Sequence, residues 1–213
     1  MQVALLICLV LVVGMSLGWA LHHRSVRHMT PILRRLAAET NGVVNSQVPF
    51  VMPKLLFSYS GVDVEVSSAS TGLDGESIRY TYVLFKGLVP RDFEFRVLPR
   101  SLQTVAEEWA GYKKSTAPEL GKLKKHLAIY TSDNRLTEAV ISEPIQTDLL
   151  FWADRKRGNR ISDIRTFDDK LIYAVTGALN SYEESKLLLG SAFRFFDAFN
   201  NIMSNTPRRA NSI

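Results

Sequence analysis

Cysteine is almost absent from this chain, since Cys8 is the only one among 213 residues. A disulfide bond within one chain is therefore impossible, which agrees with a reducing compartment without proving one. Thiol chemistry is not expected either, because Cys8 lies within an apolar run.

Sequence motifs of catalysis are missing as well. The chain contains no G-x-S-x-G nucleophile elbow, and Gly121-Lys122 lacks the upstream glycine of a P-loop. Of the four histidines, only His126 lies outside the N-terminal region. We therefore assign no catalytic, cofactor-binding or metal-binding residue, expect no cofactor, and lean against an enzyme.

Three histidines close to the N-terminus admit two interpretations. His22, His23 and His28 could bind a metal ion, but neither a thiol nor a carboxylate stands near them in the sequence. Histidines at a membrane interface are the favoured interpretation.

Two further groupings admit a functional and a structural interpretation. Asp168 and Asp169 could be a catalytic pair, but adjacent acids between two predicted strands are typical of a turn. Trp109 and Trp152 could line a pocket, although aromatic residues at helical spacing usually belong to a core.

Acidic residues are absent before Glu39, and no charged residue of either sign occurs from Val3 to Leu21. A helix over this apolar run would be roughly 28 Å long, close to the hydrocarbon thickness of a bilayer. The run predicts a transmembrane helix and makes the lipid bilayer the first expected partner. Its expected flank consists of Trp19 at the headgroup level and four basic residues, Arg24, Arg27, Arg34 and Arg35.

The basic flank also predicts an orientation. Arginines next to a membrane helix remain on the cytoplasmic side, so we expect a single-pass protein of the inner (cytoplasmic) membrane with its C-terminal domain in the cytoplasm. A cleaved signal peptide is the alternative, because Gly18 and Ala20 give a small-x-small cleavage pattern. Gly14 and Gly18 form G-x-x-x-G, a spacing that indicates a possible homodimer through this helix.

The excess of 26 Lys and Arg over 21 Asp and Glu lies at the two ends of the chain. Between them the chain is nearly neutral, so nucleic acid is not an expected partner. Two basic segments lie inside the domain, at 121–126 and 154–160, and charge runs of this kind favour solvated loops. If the domain docks on its membrane, these two segments are the first to test.

The middle of the chain predicts an antiparallel sheet. A helix is expected from Thr30, with Pro31 at its first position and Asn41-Gly42 as its stop. Alternating apolar residues and short turns then predict a meander with one packed face and one wet face. Its strands are expected at 54–60, 62–66, 78–85 and 93–97.

The second half predicts helices that cover the sheet. A helix is expected from Ser101 to Lys114, a strand over 126–131, two short helices that begin after Ser132-Asp133, and a hairpin of 161–167 with 171–176. Ser181 and Glu184 form a capping box that starts a last, broadly apolar helix.

These elements give an α+β fold: an N-terminal transmembrane helix, then one domain with an antiparallel β-sheet packed against helices, ending in a long apolar C-terminal helix. The predicted segments are an anchor over 1–22, a basic juxtamembrane helix and linker over 23–53, the soluble α+β domain over 54–204 and a disordered tail over 205–213.

From His126 onward the order of the pieces resembles a family of bacterial membrane-associated proteins that is known only as a domain of unknown function. The run HLAIYTSDNRLTEAVISEPIQTDLLFWA, then ISDIRTFDDKLIYAV, then a Phe-rich helix carry the resemblance. It implies a bacterial membrane protein and provides no catalytic residues to transfer.

The leading functional hypothesis is a membrane-anchored module that binds or scaffolds a protein partner through its surface or a sheet edge. The alternative is a membrane-tethered small-ligand sensor or enzyme with a pocket between the sheet and the last helix. A third possibility is a lipid-surface protein that works through its basic flank.

Overall fold

The computed structural model describes residues 2–46, 51–71, 78–88, 93–100, 113–117, 120–154, 160–177 and 181–205. Their helices are α1 (Gln2–Thr40), α2 (Asn134–Val140), α3 (Glu143–Ala153) and α4 (Tyr182–Asn205), with a short 3₁₀ turn at Leu123–Lys125. Their strands are β1 (Val43–Asn45), β2 (Lys54–Tyr59), β3 (Val62–Thr71), β4 (Ile78–Lys86), β5 (Phe95–Pro99), β6 (Leu127–Thr131), β7 (Ile161–Phe167) and β8 (Lys170–Thr176).

The eight strands form one sheet in the order β1-β2-β3-β4-β8-β7-β5-β6, and every neighbouring pair is antiparallel. The predicted meander is present as β2, β3 and β4, and the predicted hairpin as β7 and β8. The hairpin lies between the meander and β5, so strands from both halves of the chain share one sheet.

Alternation along the strands gives the sheet one strongly apolar face, which we call the inner face. In β3, for example, Val64 and Val66 lie on this face and are almost fully buried. The helices cover this face: α1 contacts β1, β2 and α4, and α2 and α3 pack against α4. The predicted sheet packed against helices is therefore found.

Helix α4 packs on the sheet mainly through phenylalanines. Phe196 stacks on Phe85 with ring centroids 4.4 Å apart, and Phe193 stacks on Tyr59 at 4.0 Å. Phe195 contacts rings of two more strands, Phe95 in β5 and Tyr173 in β8. One helix thus ties together strands that are distant in the sequence.

The predicted capping box starts α4 as expected. The Ser181 hydroxyl accepts a hydrogen bond from the Glu184 backbone N–H at 3.1 Å. The prediction of a long apolar C-terminal helix is nevertheless wrong, because α4 is amphipathic. Its buried stripe faces the sheet, while Glu183, Lys186 and Arg194 are exposed on its other side.

The first helix differs from the prediction in its length. A separate helix was expected to begin at Thr30, but α1 continues through Pro31 without an end. The Thr30 hydroxyl donates to the Val26 carbonyl at 2.7 Å, a bond within a helix, and therefore does not cap a new one.

The predicted stop of this helix is correct. Asn41 adopts a left-handed φ of 52°, and the Gly42 N–H donates to the Ala37 carbonyl at 2.9 Å. A Cβ at Gly42 would lie 2.8 Å from Leu55 Cδ1, so only glycine lets the helix end lie this close to β2.

The predicted transmembrane helix is wrong. Among the residues that the structure describes, no helix combines the length and the hydropathy that crossing a bilayer requires. The apolar run is the first part of a 39-residue helix that continues through Arg24 and Arg27 into the domain. Its last turns are amphipathic and bury Met29, Leu33 and Leu36 in the core. The prediction of a single-pass transmembrane protein is therefore wrong as well.

Smaller differences have local causes. Strand β3 continues to Thr71, beyond the predicted end at 66, because buried Ser67 and Ser68 find partners there: the Ser67 hydroxyl donates to the Pro53 carbonyl, and Ser68 hydrogen-bonds Thr81. Strand β5 is shifted to Phe95–Pro99, and β1 lies in the segment interpreted as a linker.

Two predictions fall on parts of the chain that the structure does not describe. The helix expected from Ser101 lies outside the described residues except for its last two positions, where Lys114 forms an isolated β-bridge with Tyr130. The expected tail lies outside the described residues from position 206 onward.

The aromatic contact of α4 gives the first prediction. Replacement of Phe196 by Ala removes a fully buried ring and leaves a cavity, so we expect the free energy of unfolding to fall by about 3–5 kcal/mol. Leu187→Ala, at a residue of the same helix that is 53% exposed, is the matched control and should change stability by less than about 1 kcal/mol. Chemical denaturation measures both, and equal losses would contradict this role of Phe196.

Candidate partner-binding face

The opposite face of the sheet, which we call the outer face, carries a row of side chains across seven strands. Residues directly opposite each other in antiparallel strands project to the same side, so the register defines this row. Its members in spatial order are Leu56, Glu65, Leu84, Ile172, Arg165, Arg96 and Tyr130. The row places two charged clusters on either side of an apolar centre.

The first cluster surrounds Glu65 in β3. Its carboxylate lies 2.8 Å from Lys54 Nζ and 2.6 Å from Lys86 Nζ, and it accepts a hydrogen bond from the Tyr82 hydroxyl at 2.8 Å. The Glu65 side chain is only 7% exposed, whereas the two lysines keep more than a third of their surface in solvent. Two cations share this carboxylate, so the three side chains Lys54, Glu65 and Lys86 together have a net positive charge, and the exposed Asp63 lies opposite Lys86 beside them.

The environment of Glu65 holds it in its charged form. Burial alone would raise the pKa of the Glu65 carboxyl, but the hydrogen bonds from Lys54, Lys86 and Tyr82 outweigh burial and lower this pKa to about 2. The pKa of Tyr82 is raised by burial and by its hydrogen bond to the Glu65 carboxylate. Tyr82 therefore remains a neutral donor, and Glu65 a structural anion.

The second cluster surrounds Asp163 in β7. Arg96 binds its carboxylate with two nitrogens, Nε at 3.1 Å and Nη2 at 3.4 Å. Arg165 Nε lies 3.3 Å from Asp163 Oδ2, the oxygen that Arg96 Nη2 also contacts, and the Arg165 guanidinium lies 5.1 Å from the Phe167 ring centroid. Here too, two cations share one carboxylate and leave a net positive charge.

Between the clusters lies an apolar centre made of Leu84 and Ile172, which are opposite each other in β4 and β8. Both side chains are only half-buried, unlike their inner-face neighbours Phe85 and Leu171, which are fully buried. Half-buried aliphatic side chains within a polar surrounding are a common feature of protein-binding surfaces.

The outer face has a limit at its β5–β6 side. Leu98, Ala128 and Tyr130 project to the same side as Arg96, but they are buried and form a small second core. The accessible part of the outer face therefore spans β2, β3, β4, β8 and β7.

The structure separates the residues predicted as a membrane flank. Arg24, Arg27, Arg34 and Arg35 are all exposed on α1, and the Arg35 guanidinium also lies 3.7 Å from the centroid of the Tyr182 ring. Glu39 joins this contact, because it accepts a hydrogen bond from the Tyr182 hydroxyl and lies 3.1 Å from Lys186 Nζ. Arg35 thus helps to connect α1 with α4.

The remaining residues predicted for the N-terminal region lie on α1. A Cβ added at Gly14 would contact nothing within 4 Å, so this position is open. Gly18 and Trp19 belong to the same helix, but their side-chain positions are outside the described part of the structure.

Asp168, Asp169 and Trp152 have structural roles in the part of the chain that the structure describes. Asp168 adopts a left-handed φ of 51° and forms the β7–β8 turn with Asp169. Trp152 is buried, and its indole N–H donates to the Ser191 hydroxyl at 3.1 Å, which fixes α3 against α4. Trp109 lies outside the described residues. No group of His, Cys, Asp and Glu suited to a metal ion occurs among the described residues.

Sequence reasoning missed both charged clusters of the outer face. Lys54, Glu65 and Lys86 come from three strands, and only the register brings them together. One signal was available, because Glu65 alternates with the apolar Val64 and Val66 in β3. The pairing of Arg96 with Asp163 had no such signal, since the two residues are separated by 67 positions.

The comparisons with known proteins give a weak structural likeness. No protein-family model and no curated protein matches the chain. The crystal structure of the mycobacterial trehalose monomycolate transport factor A is similar over 84% of this chain and 98% of that chain, with 10% sequence identity and a TM-score of 0.45. A likeness at this level supports no conclusion about function.

The low pKa of Glu65 gives a prediction for acid stability. Because the folded-state pKa is about 2 and the ordinary value is 4.5, the charged cluster stabilises the fold fully above pH 4.5 and loses this effect as the pH falls towards 2. Glu65→Gln should therefore lower the free energy of unfolding by about 1–2 kcal/mol at neutral pH and flatten its decline below pH 4.5.

Asp63→Asn is the matched control, since Asp63 is exposed on the same strand and the same face. Urea denaturation at neutral pH and at intervals below pH 4.5 measures both variants. An acid-stability profile of Glu65→Gln that runs parallel to that of the wild type would show that the cluster contributes nothing.

Proposed function

We propose that the chain is a partner-binding module and that its outer face docks on an acidic protein surface. One observation carries the proposal: the half-buried pair Leu84 and Ile172 lies between two clusters that each have a net positive charge. The described helices pack on the inner face, and Leu84 and Ile172 on the outer face keep part of their surface in solvent.

The apolar centre supplies the part of the interface that can be desolvated. Binding energy at protein interfaces is concentrated in a few central side chains, and a polar rim excludes water around them. Leu84 and Ile172 fit the central position, and Tyr82 and Phe167 lie beside them as aromatic contacts on the same face.

The clusters favour a partner with negative charge. In each cluster the cations are held by a carboxylate, so little side-chain entropy is lost when an acidic group binds them. Exposed charge of one sign also raises the rate of encounter with the opposite sign and makes binding sensitive to salt. An acidic surface therefore fits the outer face better than a basic one.

A ligand pocket between the sheet and α4 is the less favoured alternative. The stacked rings of Phe85, Phe196, Tyr59 and Phe193 fill this interface. A small-ligand site there would require these rings to separate.

The test is a single substitution at the apolar centre. Ile172→Glu places a carboxylate where an acidic partner would approach and removes an apolar contact, so we expect recovery of the partner to fall about tenfold or more. Affinity purification after cross-linking in the producing cells, with nuclease treatment and quantitative mass spectrometry, measures the recovery.

Leu187→Glu is the matched control, because Leu187 is an exposed apolar residue on α4, away from the outer face. It should leave recovery unchanged, and thermal unfolding should show that both variants remain folded. Proteins recovered equally with Ile172→Glu and Leu187→Glu would contradict the proposal, as would recovery that nuclease abolishes.

A second mode of binding is favoured by the first part of α1. Six apolar side chains there are between 54% and 69% exposed: Ile7, Leu9, Val10, Val12, Val13 and Met15. Exposed apolar side chains on this scale are typical of an interaction surface. We propose that a second copy of the chain packs along α1 at Gly14, where the absence of a side chain permits close approach.

A bulky residue at Gly14 tests this self-association. Gly14→Leu should weaken the dimer measurably, because the two helices could no longer approach closely, whereas Ser16→Leu on the same helix is the control. Analytical ultracentrifugation or cross-linking of the full chain in detergent measures the fraction of dimer. A dimer fraction unchanged by Gly14→Leu would refute this packing.

A further inference from the structure

A cleft of about 290 Å³ opens at one end of the sheet, away from the outer-face clusters. It lies where β5 ends, β6 and β7 begin, and β8 ends, next to the last residue of α3. The ends of four strands and one helix therefore converge on it, although they come from distant parts of the sequence.

One side of the cleft is basic. Arg100, His126 and Arg160 line it together with the Thr176 hydroxyl group, and no acidic residue is among its described lining. His126 ends the basic segment 121–126 and Arg160 ends the basic segment 154–160. The fold thus brings together one residue from the end of each of two segments that the sequence analysis interpreted as separate solvated loops.

Backbone hydrogen bonds fix the positions of these residues. The Arg160 N–H donates to the Thr176 hydroxyl at 3.0 Å, and the Thr176 N–H donates to the Arg160 carbonyl at 2.6 Å. The Arg100 N–H donates to the His126 carbonyl at 3.1 Å, and Arg100 Nη1 donates to the Lys124 carbonyl at 3.3 Å. The sheet therefore fixes the backbone from which Arg100, His126 and Arg160 project, while their side chains are exposed.

The lining of the cleft also has an apolar part, which consists of Pro99, Leu127, Ala153 and Ile161. Leu127 and Ile161 are almost fully buried, so this wall is continuous with the core. A ligand that fills the cleft must combine an anionic group with a small organic part. The cleft is close to the lower limit of volume for small-molecule sites.

We propose that this cleft binds a phosphate ester, with the phosphate group held by Arg100, His126 and Arg160 and the organic part against the apolar wall. Guanidinium groups bind phosphate oxygens through paired, charge-assisted hydrogen bonds, and several basic groups match the double charge of a phosphate monoester. The same chemistry is offered by a soluble ester and by a lipid headgroup. The inference is independent of the partner proposed for the outer face.

The experiment uses the full chain and two probes. Glycerol 3-phosphate is titrated and followed by NMR, and binding to vesicles of phosphatidylglycerol is compared with binding to vesicles of phosphatidylcholine. Arg160→Gln should weaken binding of the recognised probe about tenfold or more, which is the effect of one lost charge-assisted hydrogen bond.

Lys122→Gln is the matched control, because Lys122 is exposed in the same basic region but does not line the cleft. Equal melting temperatures of the two variants show that both are folded, and both retain α1, so any binding through that helix cancels in the comparison. If Arg160→Gln weakens the binding of glycerol 3-phosphate but not the binding of vesicles, the result would support a soluble phosphate ester as the ligand.

Weaker binding only to phosphatidylglycerol vesicles by Arg160→Gln would support a lipid headgroup as the source of the phosphate. Two results would overturn the proposal: binding of neither probe by the wild type, or equal binding by Arg160→Gln and Lys122→Gln in both arms.

Discussion

The contact between the phenylalanines of α4 and the inner face of the sheet is the interaction on which the fold depends. Phe195, Phe196 and Phe199 are all nearly inaccessible to solvent. The rings of Phe195 and Phe196 contact Phe85 in β4, Phe95 in β5 and Tyr173 in β8, so these contacts join strands from both halves of the chain. Without this helix, the inner face of a wide antiparallel sheet would remain in water. The position of α4 also decides which face of the sheet is left for other molecules.

Local patterns were sufficient to predict much of the fold. Alternation located β4 and the first half of β3, and Asp168-Asp169 located the turn of the β7–β8 hairpin. The cap predicted at Ser132-Asp133 is also found, because the Asp133 side chain caps α2 by accepting from the Arg135 and Leu136 N–H groups. Apolar content was a weaker guide. It predicted a separate transmembrane helix over 3–21, whereas α1 continues without a break to Thr40. Hydropathy of a run does not show where its helix ends, and Pro31 was a misleading start signal.

Local sequence patterns could not predict the candidate sites, and the reason is a different one. Glu65 contacts Lys54 of β2 and Lys86 of β4. Arg160 lines the same cleft as Arg100 because β7 pairs with β5. Such groupings depend on strand order, and the order β4-β8-β7-β5 cannot be derived from the sequence of one strand at a time. The two basic segments were visible in the sequence, but their convergence was not.

The continuity of α1 has a mechanical consequence. A helix of 39 residues is about 58 Å long, and its last turns are tied to α4 by Arg35 and Glu39 and to the sheet by Leu33 and Leu36. The helix is continuous from Gln2 to Thr40, so no break separates its N-terminal end from the folded body. A force applied at the N-terminal end of α1 would therefore be transmitted along the helix to the sheet and to α4.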